Sequence, residues 1–509
     1  MNDKAVRKIV IVGGGTAGWM AAAPLIQRLG RDARAPCEIV LVESAEIGTI
    51  GVGEGTMPNI HNYTMGLGLD HTEFLRHTKA TFKLGIEFKD WGHIGNRFFH
   101  GFGEFGPPIA DAPAIHHWLR LHHAGAIGSH EQWSLVTEMA RQNRFTPPGS
   151  LPTPYTNSYS FAYHFDAALF ASFLRDYAVQ RGVQRIEGTV VDVTLRAADG
   201  FVESLTLADG RRIDGDLFLD CSGQRALLIE GAMKSGFEDW SAWLPVDRAI
   251  AMPSASAASL APYTLSTAHA AGWTWRIPLQ HRVGNGHVYC SGFMSDAEAA
   301  QVLMRTVDTE PLDAPRSLRF ATGRRRRMWI GNVVAIGLSA GFLEPLESTA
   351  IQLIVSAVGR LIKLFPDRDC STHLAGEFNR LMAQQYESIR DFIILHYKIN
   401  RRTDSEFWRW CREAAIPDAL QHQIELFRSC GLIAQTDPGG FTELSWLSVL
   451  LGLGLLPERH NPMVDQLDEQ AVRLHAERLR AGIQAAARAM PDHASYIERL
   501  LANTSVSRR

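Results

Sequence analysis

A glycine-rich turn near the N-terminus constrains the fold of this chain more than any other feature. The apolar, β-branched run Ile9–Val12 predicts a strand that is buried on both faces of a parallel sheet. The turn itself reads Gly13-Gly14-Gly15-Thr16-Ala17-Gly18, and a helix-compatible stretch from Ala17 to Leu29 follows it. A second predicted strand, Glu38–Val42, ends at the acid Glu43. This order of strand, turn, helix, strand and acid predicts a βαβ unit that binds a dinucleotide.

Each part of this unit has a defined task in holding such a ligand. Gly13 allows the tight turn, Gly15 lets the main chain approach a pyrophosphate, and Gly18 permits close packing of helix on strand. The start of the helix offers unpaired N–H groups and a partial positive charge to the phosphates. Glu43, 25 residues after Gly18, would accept hydrogen bonds from the adenosine ribose. The predicted cofactor contacts in this unit are Gly13, Gly15, Thr16, Ala17, Gly18 and Glu43.

The turn alone leaves NAD and FAD open as the ligand. Two hairpin signals, Asp199-Gly200 and Asp209-Gly210, separate alternating strands in the middle of the chain. A later apolar strand, Asn332–Ile336, leads into the small residues Gly337–Gly341. These features favour the two-part FAD arrangement, so FAD ranks ahead of NAD. Gly337 is accordingly a further predicted cofactor contact.

Helical periodicity dominates the last third of the chain. Asp166–Gly182 already has apolar residues at helical spacing. From about Glu344 the pattern is helical almost to the end, most clearly at Ile351–Phe365, His373–Tyr397 and Gln470–Met490. We therefore predict an α/β fold, with a Rossmann-like FAD-binding module that carries inserted β-hairpins and a largely α-helical C-terminal module.

Composition argues against several classes of function. The 509 residues carry a net charge of -3, which gives no electrostatic reason to expect nucleic acid or an anionic membrane as a partner. No apolar run approaches the roughly 20 residues that span a bilayer, and Met1–Lys8 lacks the pattern of a secretion signal. The six cysteines are scattered and form no C-x-x-C pair. We expect reduced, mostly buried thiols in a cytoplasmic protein without a metal site.

Four further segments can be interpreted because they resemble segments of a known protein family. In chain order they are Gly51–Thr56, Phe82–Ile86, Trp273–Pro278 and Pro345–Thr349. They resemble the flavin-contacting loop, the catalytic-lysine segment, the W-x-W-x-I-P signature and the glutamate and halide segment of the flavin-dependent halogenases. This family is typified by the tryptophan halogenases. Each match is weak singly, but their joint occurrence in order between about residues 9 and 350 is specific.

The resemblance implies an aromatic-monooxygenase-like (GR2) flavin module that acts as a halogenase. In this family FADH2, supplied by a separate NAD(P)H-dependent flavin reductase, and O2 oxidise chloride or bromide to hypohalous acid. Lys83 would direct this oxidant to electrophilic substitution on an aromatic ring. Glu347 would lie nearby and bind the oxidant or take the ring proton, and Ser348 shares this segment. The halide would bind the N–H groups of Thr349 and Ala350 at a helix start. The resemblance adds three cofactor contacts, which are Gly53, Glu54 and Leu346.

A lysine suits this transfer in either protonation state. As ammonium, Lys83 would donate a hydrogen bond to hypohalous acid and polarise the departing hydroxide. As neutral amine it would become a haloamine, which requires burial to lower its pKa from about 10.4 to about 7. Lys79 would share the face of Lys83 if the segment is helical, and we expect it to be an exposed cation.

The substrate site is predicted to be aromatic. His100 and Phe102 resemble the shelf that holds an indole face in this family, and Trp446 is a third predicted substrate contact. Family members that act on free tryptophan hold its charged groups with adjacent tyrosines and an acid. This chain has no adjacent tyrosines, and Phe441–Leu447 leads into an apolar run. Because burial of unpaired charge is costly, we predict indole or an indole derivative as the substrate, and not free tryptophan.

Two other functions remain open at this point. An FAD-dependent aromatic hydroxylase would use the same flavin chemistry without halide, and a flavin-binding protein would have no turnover. The predicted partners are a small indole-type substrate and a transient flavin reductase, with a homodimer as an open alternative. The predicted modules are 1–370 for FAD binding and catalysis, with a substrate-shelf insert at about 91–150, and 371–509 for a helical cover over the substrate.

Overall fold

The strand before the glycine-rich turn is central in a six-stranded sheet. Lys8–Val12 pairs in parallel with Glu38–Glu43 on one side and with Leu217–Asp220 on the other. Residues 9–12 are buried, as expected for a strand covered on both faces. The order of strands across this sheet is Trp329–Ile330, Val333–Ala335, Leu217–Asp220, Lys8–Val12, Glu38–Glu43 and Gln184–Glu187.

This sheet belongs to one of two units into which the chain divides. The computed structural model describes residues 4–30, 36–44, 53–110, 112–151, 154–155, 157–434 and 439–506. The first unit consists of Met1–Lys79, Phe165–Ser241 and Arg319–Glu387. The second unit consists of Ala80–His164, Ala242–Leu318 and Ser388–Arg509.

The predicted hairpins form a second sheet of the first unit. Val190–Leu195, Val202–Leu207 and Arg212–Asp214 pair antiparallel. Gly200 and Gly210 have positive φ angles in the two turns, which confirms the aspartate–glycine hairpin signals. A third sheet contains Phe237–Asp239, Gly323–Arg325 and Gly341–Phe342.

Helices and short turns complete the first unit. The predicted helix after the glycine-rich turn is observed at Thr16–Leu29, and the periodic segment near residue 170 is a helix at Ala167–Gln180. These two helices pack against each other. The other α-helices are Ile60–Gly66, His71–Thr78, Thr349–Lys363 and Thr372–Lys398, whose last residues belong to the second unit. The shorter elements are the strand Gly53–Gly55, the 3-10 turns Gly223–Arg225, Gly337–Ser339 and Pro345–Glu347, and the π-helix Leu227–Ala232.

A seven-stranded sheet organises the second unit. Its strands lie in the order Arg316–Arg319, Arg248–Ser254, Val283–Tyr289, Gly272–Pro278, Thr264–His269, Gly85–Lys89 and Arg97–Gly101. The short strand Thr81–Lys83 pairs antiparallel with Ala162–Asp166 outside this sheet. The helices of this unit are Ala114–His123, Leu135–Arg141, Asp296–Thr306, Glu406–Glu413, Asp418–Cys430, Glu443–Gly452, Glu469–Ala489 and His493–Val506, with 3-10 turns at His130–Trp133 and Pro462–Gln466.

The predicted α/β fold and the predicted C-terminal helices are confirmed. The helices expected at Ile351–Phe365, His373–Tyr397 and Gln470–Met490 lie within two residues of the observed ends. Within the described ranges, no helix has both the length and the apolar character that crossing a membrane requires. All six cysteines are free thiols, and five of them are buried. The functional boundary near residue 370 stays a prediction.

The strand with the W-x-W-x-I-P motif is fixed by close packing of a tryptophan on a glycine. Gly272–Pro278 lies between two antiparallel partner strands, and its Trp275 is buried. A Cβ atom on Gly286, which is paired with Trp275, would lie 2.1 Å from the indole ring. The partner strand therefore needs glycine at this position.

We expect Gly286→Ala to lower the stability of the protein. The added methyl group must displace the Trp275 ring, and overpacking of this kind costs about 1–3 kcal/mol. Gly376→Ala is the matched control, because Gly376 is exposed in a helix and has open space around its Cβ position. The control should gain roughly 0.5–1 kcal/mol. Thermal unfolding followed by circular dichroism measures both, and equal melting temperatures for Gly286→Ala and the wild type would contradict the packing argument.

Candidate functional site

The glycine-rich turn brings main chain from three segments together. The Gly13 N–H donates a hydrogen bond of 2.8 Å to the Val42 carbonyl, and Gly13 has a φ of 111°. A Cβ on Gly13 would lie 2.2 Å from the Cys221 carbonyl oxygen. A Cβ on Gly18 would lie 1.9 Å from the Gly13 carbonyl oxygen. Side chains are therefore excluded at both glycines, in agreement with the roles predicted for them.

An acid and a helix start adjoin this turn and fit a dinucleotide. The Glu43 carboxylate lies against Gly14, where a Cβ would be 1.5 Å from Oε2. Glu43 also accepts a hydrogen bond from the Arg185 guanidinium. The helix Thr16–Leu29 begins after Gly15, so its first N–H groups lack intrahelical partners. The turn thus offers N–H donors for a pyrophosphate and a carboxylate for a ribose, as FAD requires.

Two predicted cofactor contacts outside the turn, Gly337 and Glu54, lie in a 3-10 turn and in a short strand. Gly337 lies against the helix after the turn, since its Cβ would be 2.7 Å from the Ala17 Cβ. Glu54 lies in the strand Gly53–Gly55, and burial raises its pKa to about 7. The first two residues of the predicted flavin-contacting loop, Gly51 and Val52, lie outside the described residues.

The predicted glutamate and halide segment forms a buried helix start. Leu346 and Glu347 are buried in a 3-10 turn, and Ser348 follows in the left-handed region with φ 59° and ψ 39°. The helix Thr349–Lys363 begins there. Thr349 is fully buried, and its Oγ1 has no hydrogen-bond partner in the part of the chain that the structure describes. A buried hydroxyl without a partner costs about 1–3 kcal/mol, so this helix start holds polar groups that suit an anion.

Lys83 is fully buried at the end of its strand and faces an aromatic ring. Its Nζ lies 5.3 Å from the centroid of the Phe102 ring, within range of a cation–π interaction. The Phe102 N–H donates a hydrogen bond of 2.9 Å to the Leu84 carbonyl, which holds Phe102 beside the residue that follows Lys83. The His100 and Phe102 ring centroids are 6.4 Å apart. The predicted catalytic lysine and the predicted shelf are therefore neighbours.

The shelf continues into the C-terminal region of the second unit through Phe392. The Phe392 ring stacks on Phe441 at 4.0 Å and meets Trp446 edge-on at 5.1 Å. The His100 and Phe441 centroids are 6.4 Å apart. All three predicted substrate residues therefore share one aromatic group, which consists of His100, Phe102, Phe392, Phe441 and Trp446. The sequence did not single out Phe392, because it is one of many apolar residues in a long periodic helix.

A buried histidine that the sequence also missed adjoins the lysine strand. His164 pairs with Thr81, and its Nε2 lies 2.9 Å from Thr264 Oγ1. Its Nδ1 lies 3.3 Å from Thr81 Oγ1, which in turn donates a hydrogen bond of 2.7 Å to the Pro278 carbonyl. Burial and the nearby charge of Lys83 hold the pKa of His164 well below its ordinary value. Its partners lie 83 and 100 residues away in sequence, so no local pattern indicated it.

The predicted catalytic residues belong to different units. Lys83 is part of the second unit, whereas Glu347 and Ser348 are part of the first. The expected proximity of Glu347 to Lys83 stays a prediction. Lys79 ends the helix His71–Thr78 in the left-handed region, with φ 53°, and Lys83 lies in the strand that follows. The segment is therefore not one helix, and the two lysines do not share a helical face.

The parallel sheet, the glycine-rich turn and the helical segments define a mixed α/β protein with a Rossmann-like FAD-binding fold. A sequence profile of the family described as tryptophan halogenase matches residues 8–469. The chain belongs to this family.

Individual relatives support this assignment over more than nine-tenths of the chain. Tryptophan 7-halogenase RebH of Lentzea aerocolonigenes is 35% identical over 500 residues, which cover 91% of this chain and 92% of that protein. The structure of BrvH, a flavin-dependent halogenase from Brevundimonas sp. BAL3, is 44% identical with a TM-score of 0.94, covering 98% of this chain and 100% of BrvH. Xcc4156, a flavin-dependent halogenase from Xanthomonas campestris, is 43% identical with a TM-score of 0.93, covering 97% and 98%.

These similarities establish the class of reaction. The protein is a flavin-dependent halogenase, an enzyme that uses O2, a halide and FADH2 from a separate flavin reductase. The family assignment favours this activity over both alternatives considered from the sequence, the aromatic hydroxylase and the flavin-binding protein without turnover. It leaves the individual residue roles and the substrate to be argued from the site.

We expect Gly14→Ala to weaken FAD binding. The new methyl group would occupy the position of the Glu43 carboxylate, so the acid that is predicted to bind the ribose must move. Loss of one such charged hydrogen-bonding group corresponds to about a tenfold rise in Kd. Titration of FAD fluorescence measures this value. Gly66→Ala serves as the control, because this exposed glycine has open space at its Cβ position, and an unchanged Kd for Gly14→Ala would refute the assignment of the cradle.

Proposed function

We propose that Lys83 delivers hypohalous acid to an aromatic ring held by the neighbouring aromatic group. The single observation that carries this proposal is the complete burial of Lys83 with its Nζ 5.3 Å from the Phe102 ring. A buried amine beside a ring that belongs to a substrate shelf is placed to act on an oxidant without competition from bulk water. At a solvent-exposed lysine, by contrast, bulk water would compete for the oxidant.

The residues around Lys83 support this role. When bound, FADH2 with O2 supplies the oxidising power that converts halide to hypohalous acid. Lys83 as ammonium would donate a hydrogen bond to the oxygen of hypohalous acid. The carbon–halogen bond then forms as the halogen–oxygen bond breaks, and the hydroxide leaves as water once it has taken up a proton. The neutral imidazole of His164 adds no second positive charge beside Lys83.

We assign proton removal and halide binding to the buried helix start of the first unit. Glu347 would accept the proton that the ring loses when its aromaticity is restored, or would bind hypohalous acid together with Ser348. Thr349 and Ala350 would hold the halide through N–H groups at the helix start, and the unpartnered Thr349 hydroxyl supports an anion there. The proposed FAD contacts are Gly13, Gly15, Thr16, Ala17, Gly18, Glu43, Gly53, Glu54, Gly337 and Leu346.

The proposed substrate is indole or an indole derivative and not free tryptophan. Phe102 is the half-buried ring of the aromatic group, and it would stack with an indole while the buried rings behind it hold it in place. RebH, at 35% identity, is a tryptophan 7-halogenase, so this proposal departs from that relative's substrate. The proposal rests on the apolar run that follows Phe441–Leu447 and extends to Leu456, and on the absence of adjacent tyrosines from the sequence.

The remaining assignments concern the modules, the reductase, the location, the halide and the oligomeric state. The catalytic and FAD-binding functions are assigned to residues 1–370, with the shelf in the insert at about 91–150, and the covering function to 371–509. We assign this protein to the cytoplasm, where it would bind a separate flavin reductase only transiently. Chloride and bromide are both retained as co-substrates, and a homodimer remains an alternative to the monomer.

We expect Lys83→Ala to abolish halogenation while FADH2 is still oxidised. Loss of a group that acts on the transferring atom costs about 10²–10⁴-fold in rate. Lys83→Met should behave in the same way, which separates loss of the amine from loss of side-chain volume. Lys89→Ala removes an exposed lysine of the next strand and should retain activity. Mass spectrometry of halogenated indole, with flavin oxidation followed by absorbance, measures both steps. Wild-type product yields from Lys83→Ala would end the assignment.

We expect kcat/KM for indole to exceed that for free tryptophan by about tenfold or more, because a desolvated zwitterion must find charged partners. The uncharged 3-methylindole is the matched control, since it retains a substituent at the same ring carbon. It should react like indole. If tryptophan reacts as fast as indole, the substrate proposal is wrong. If 3-methylindole is as slow as tryptophan, bulk and not charge is the cause.

A further inference from the structure

The strand that carries Lys83 is attached to the C-terminal segment of the chain through a buried histidine. The Phe82 N–H donates a hydrogen bond of 3.1 Å to Nε2 of His493, which is 411 residues away in sequence. The other ring nitrogen, Nδ1, lies 2.8 Å from the Leu260 carbonyl oxygen. A carbonyl only accepts, so Nδ1 carries the proton and Nε2 is free to accept from Phe82.

His493 is suited to this task only in its neutral form. It is fully buried, and burial lowers its pKa to about 4. The Leu260 carbonyl and Asp492 oppose this shift, but burial has the larger effect. A second proton would have to sit on Nε2, where it would face the Phe82 N–H. The imidazole is therefore held as an acceptor for the main-chain N–H of Phe82, the residue directly before Lys83.

The side chain of Phe82 is fixed from the same direction. Its ring stacks on Phe145 at 3.9 Å, and the Tyr496 ring lies 5.7 Å from Phe82 and 5.3 Å from Phe145. The Phe145 N–H donates a hydrogen bond of 3.1 Å to the Pro491 carbonyl. Residues 491–496 thus restrain both the main chain and the side chain of the residue before Lys83.

From this arrangement we propose that His493 is a positioning residue for Lys83 in halogen transfer. This inference rests on the role proposed for Lys83. The Phe82 N–H lies in the Thr81–Phe82 peptide group, one peptide group before the one that leads into Lys83, so a rotation of this group shifts the three-residue strand that places Nζ. A displacement of about 1 Å at a reacting group can cost about 10²-fold in rate. Loss of the His493 acceptor should therefore reduce delivery of the oxidised halogen to the substrate, whereas FADH2 oxidation continues.

Two substitutions separate positioning from general stability. His493→Phe keeps a ring of similar size and removes both nitrogens. His493→Gln keeps one donor and one acceptor, so it can serve both the Leu260 carbonyl and the Phe82 N–H. The measurement is halogenated indole formed per FADH2 oxidised, with KM for indole, at a temperature where circular dichroism shows each variant folded. We expect the ratio to fall about tenfold or more in His493→Phe, with KM unchanged, and to recover in His493→Gln.

A purely structural role predicts a different result. It would lower the melting temperature and the amount of active enzyme, but it would leave the ratio of product to oxidised flavin at the wild-type value. That outcome overturns the inference. If His493→Phe does not fold, His493→Asn takes its place, because its shorter amide does not reach both partners. A ratio for His493→Asn equal to that of His493→Gln would likewise overturn it.

The Lys83→Ala variant, assayed in parallel, distinguishes failure of the role proposed for Lys83 from failure of the role proposed for His493. Wild-type halogenation by Lys83→Ala means that the proposed role of the lysine itself has failed. Loss of halogenation in Lys83→Ala together with an unchanged ratio in His493→Phe means that only the positioning inference has failed. Reduced ratios in both, with rescue by His493→Gln, support both.

Discussion

The burial of Lys83 is the constraint on which the proposed transfer of halogen depends. An ammonium group removed from water loses its hydration, and the protein must replace that hydration with directed groups. The Phe102 ring provides one of these, at 5.3 Å from Nζ. A flexible side chain of four methylene groups has a fixed endpoint only if its main chain is also fixed. The three-residue strand Thr81–Lys83 is too short to provide this by ladder pairing alone, so its order must come from tertiary contacts.

Those contacts come from three separate parts of the chain. The Thr81 hydroxyl donates a hydrogen bond to the Pro278 carbonyl, and the Phe82 N–H donates one to His493. The Leu84 N–H donates a hydrogen bond of 2.7 Å to the Pro262 carbonyl. The partners are neutral at each point. Neutral acceptors hold an N–H or hydroxyl without a second buried charge, whose desolvation would have to be offset as well. Neutral acceptors therefore hold the strand in place without placing another charge next to the lysine.

How much of this could be predicted depends on the range of the contacts. The glycine turn, the two aspartate–glycine hairpins and the helix at Thr349–Lys363 were predictable because each depends on residues that are adjacent in sequence. Lys83 and Glu347 were identified only by resemblance, since an isolated lysine or glutamate has no local pattern that marks it. His164 and His493 were not predictable. Each acquires its role from partners 83 to 411 residues away, and His493 alone reads as the first residue of an ordinary helix.

The residue types of the W-x-W-x-I-P signature do not indicate a chemical role. In the structure, this segment has a packing role. The Trp275 ring packs directly on Gly286 of the neighbouring antiparallel strand, where a Cβ atom would lie 2.1 Å from the indole. This strand ends at Pro278, whose ring fixes φ and whose carbonyl accepts the Thr81 hydroxyl two residues before Lys83. The strand that packs Trp275 on Gly286 therefore also supplies the acceptor for the Thr81 hydroxyl, two residues before the lysine.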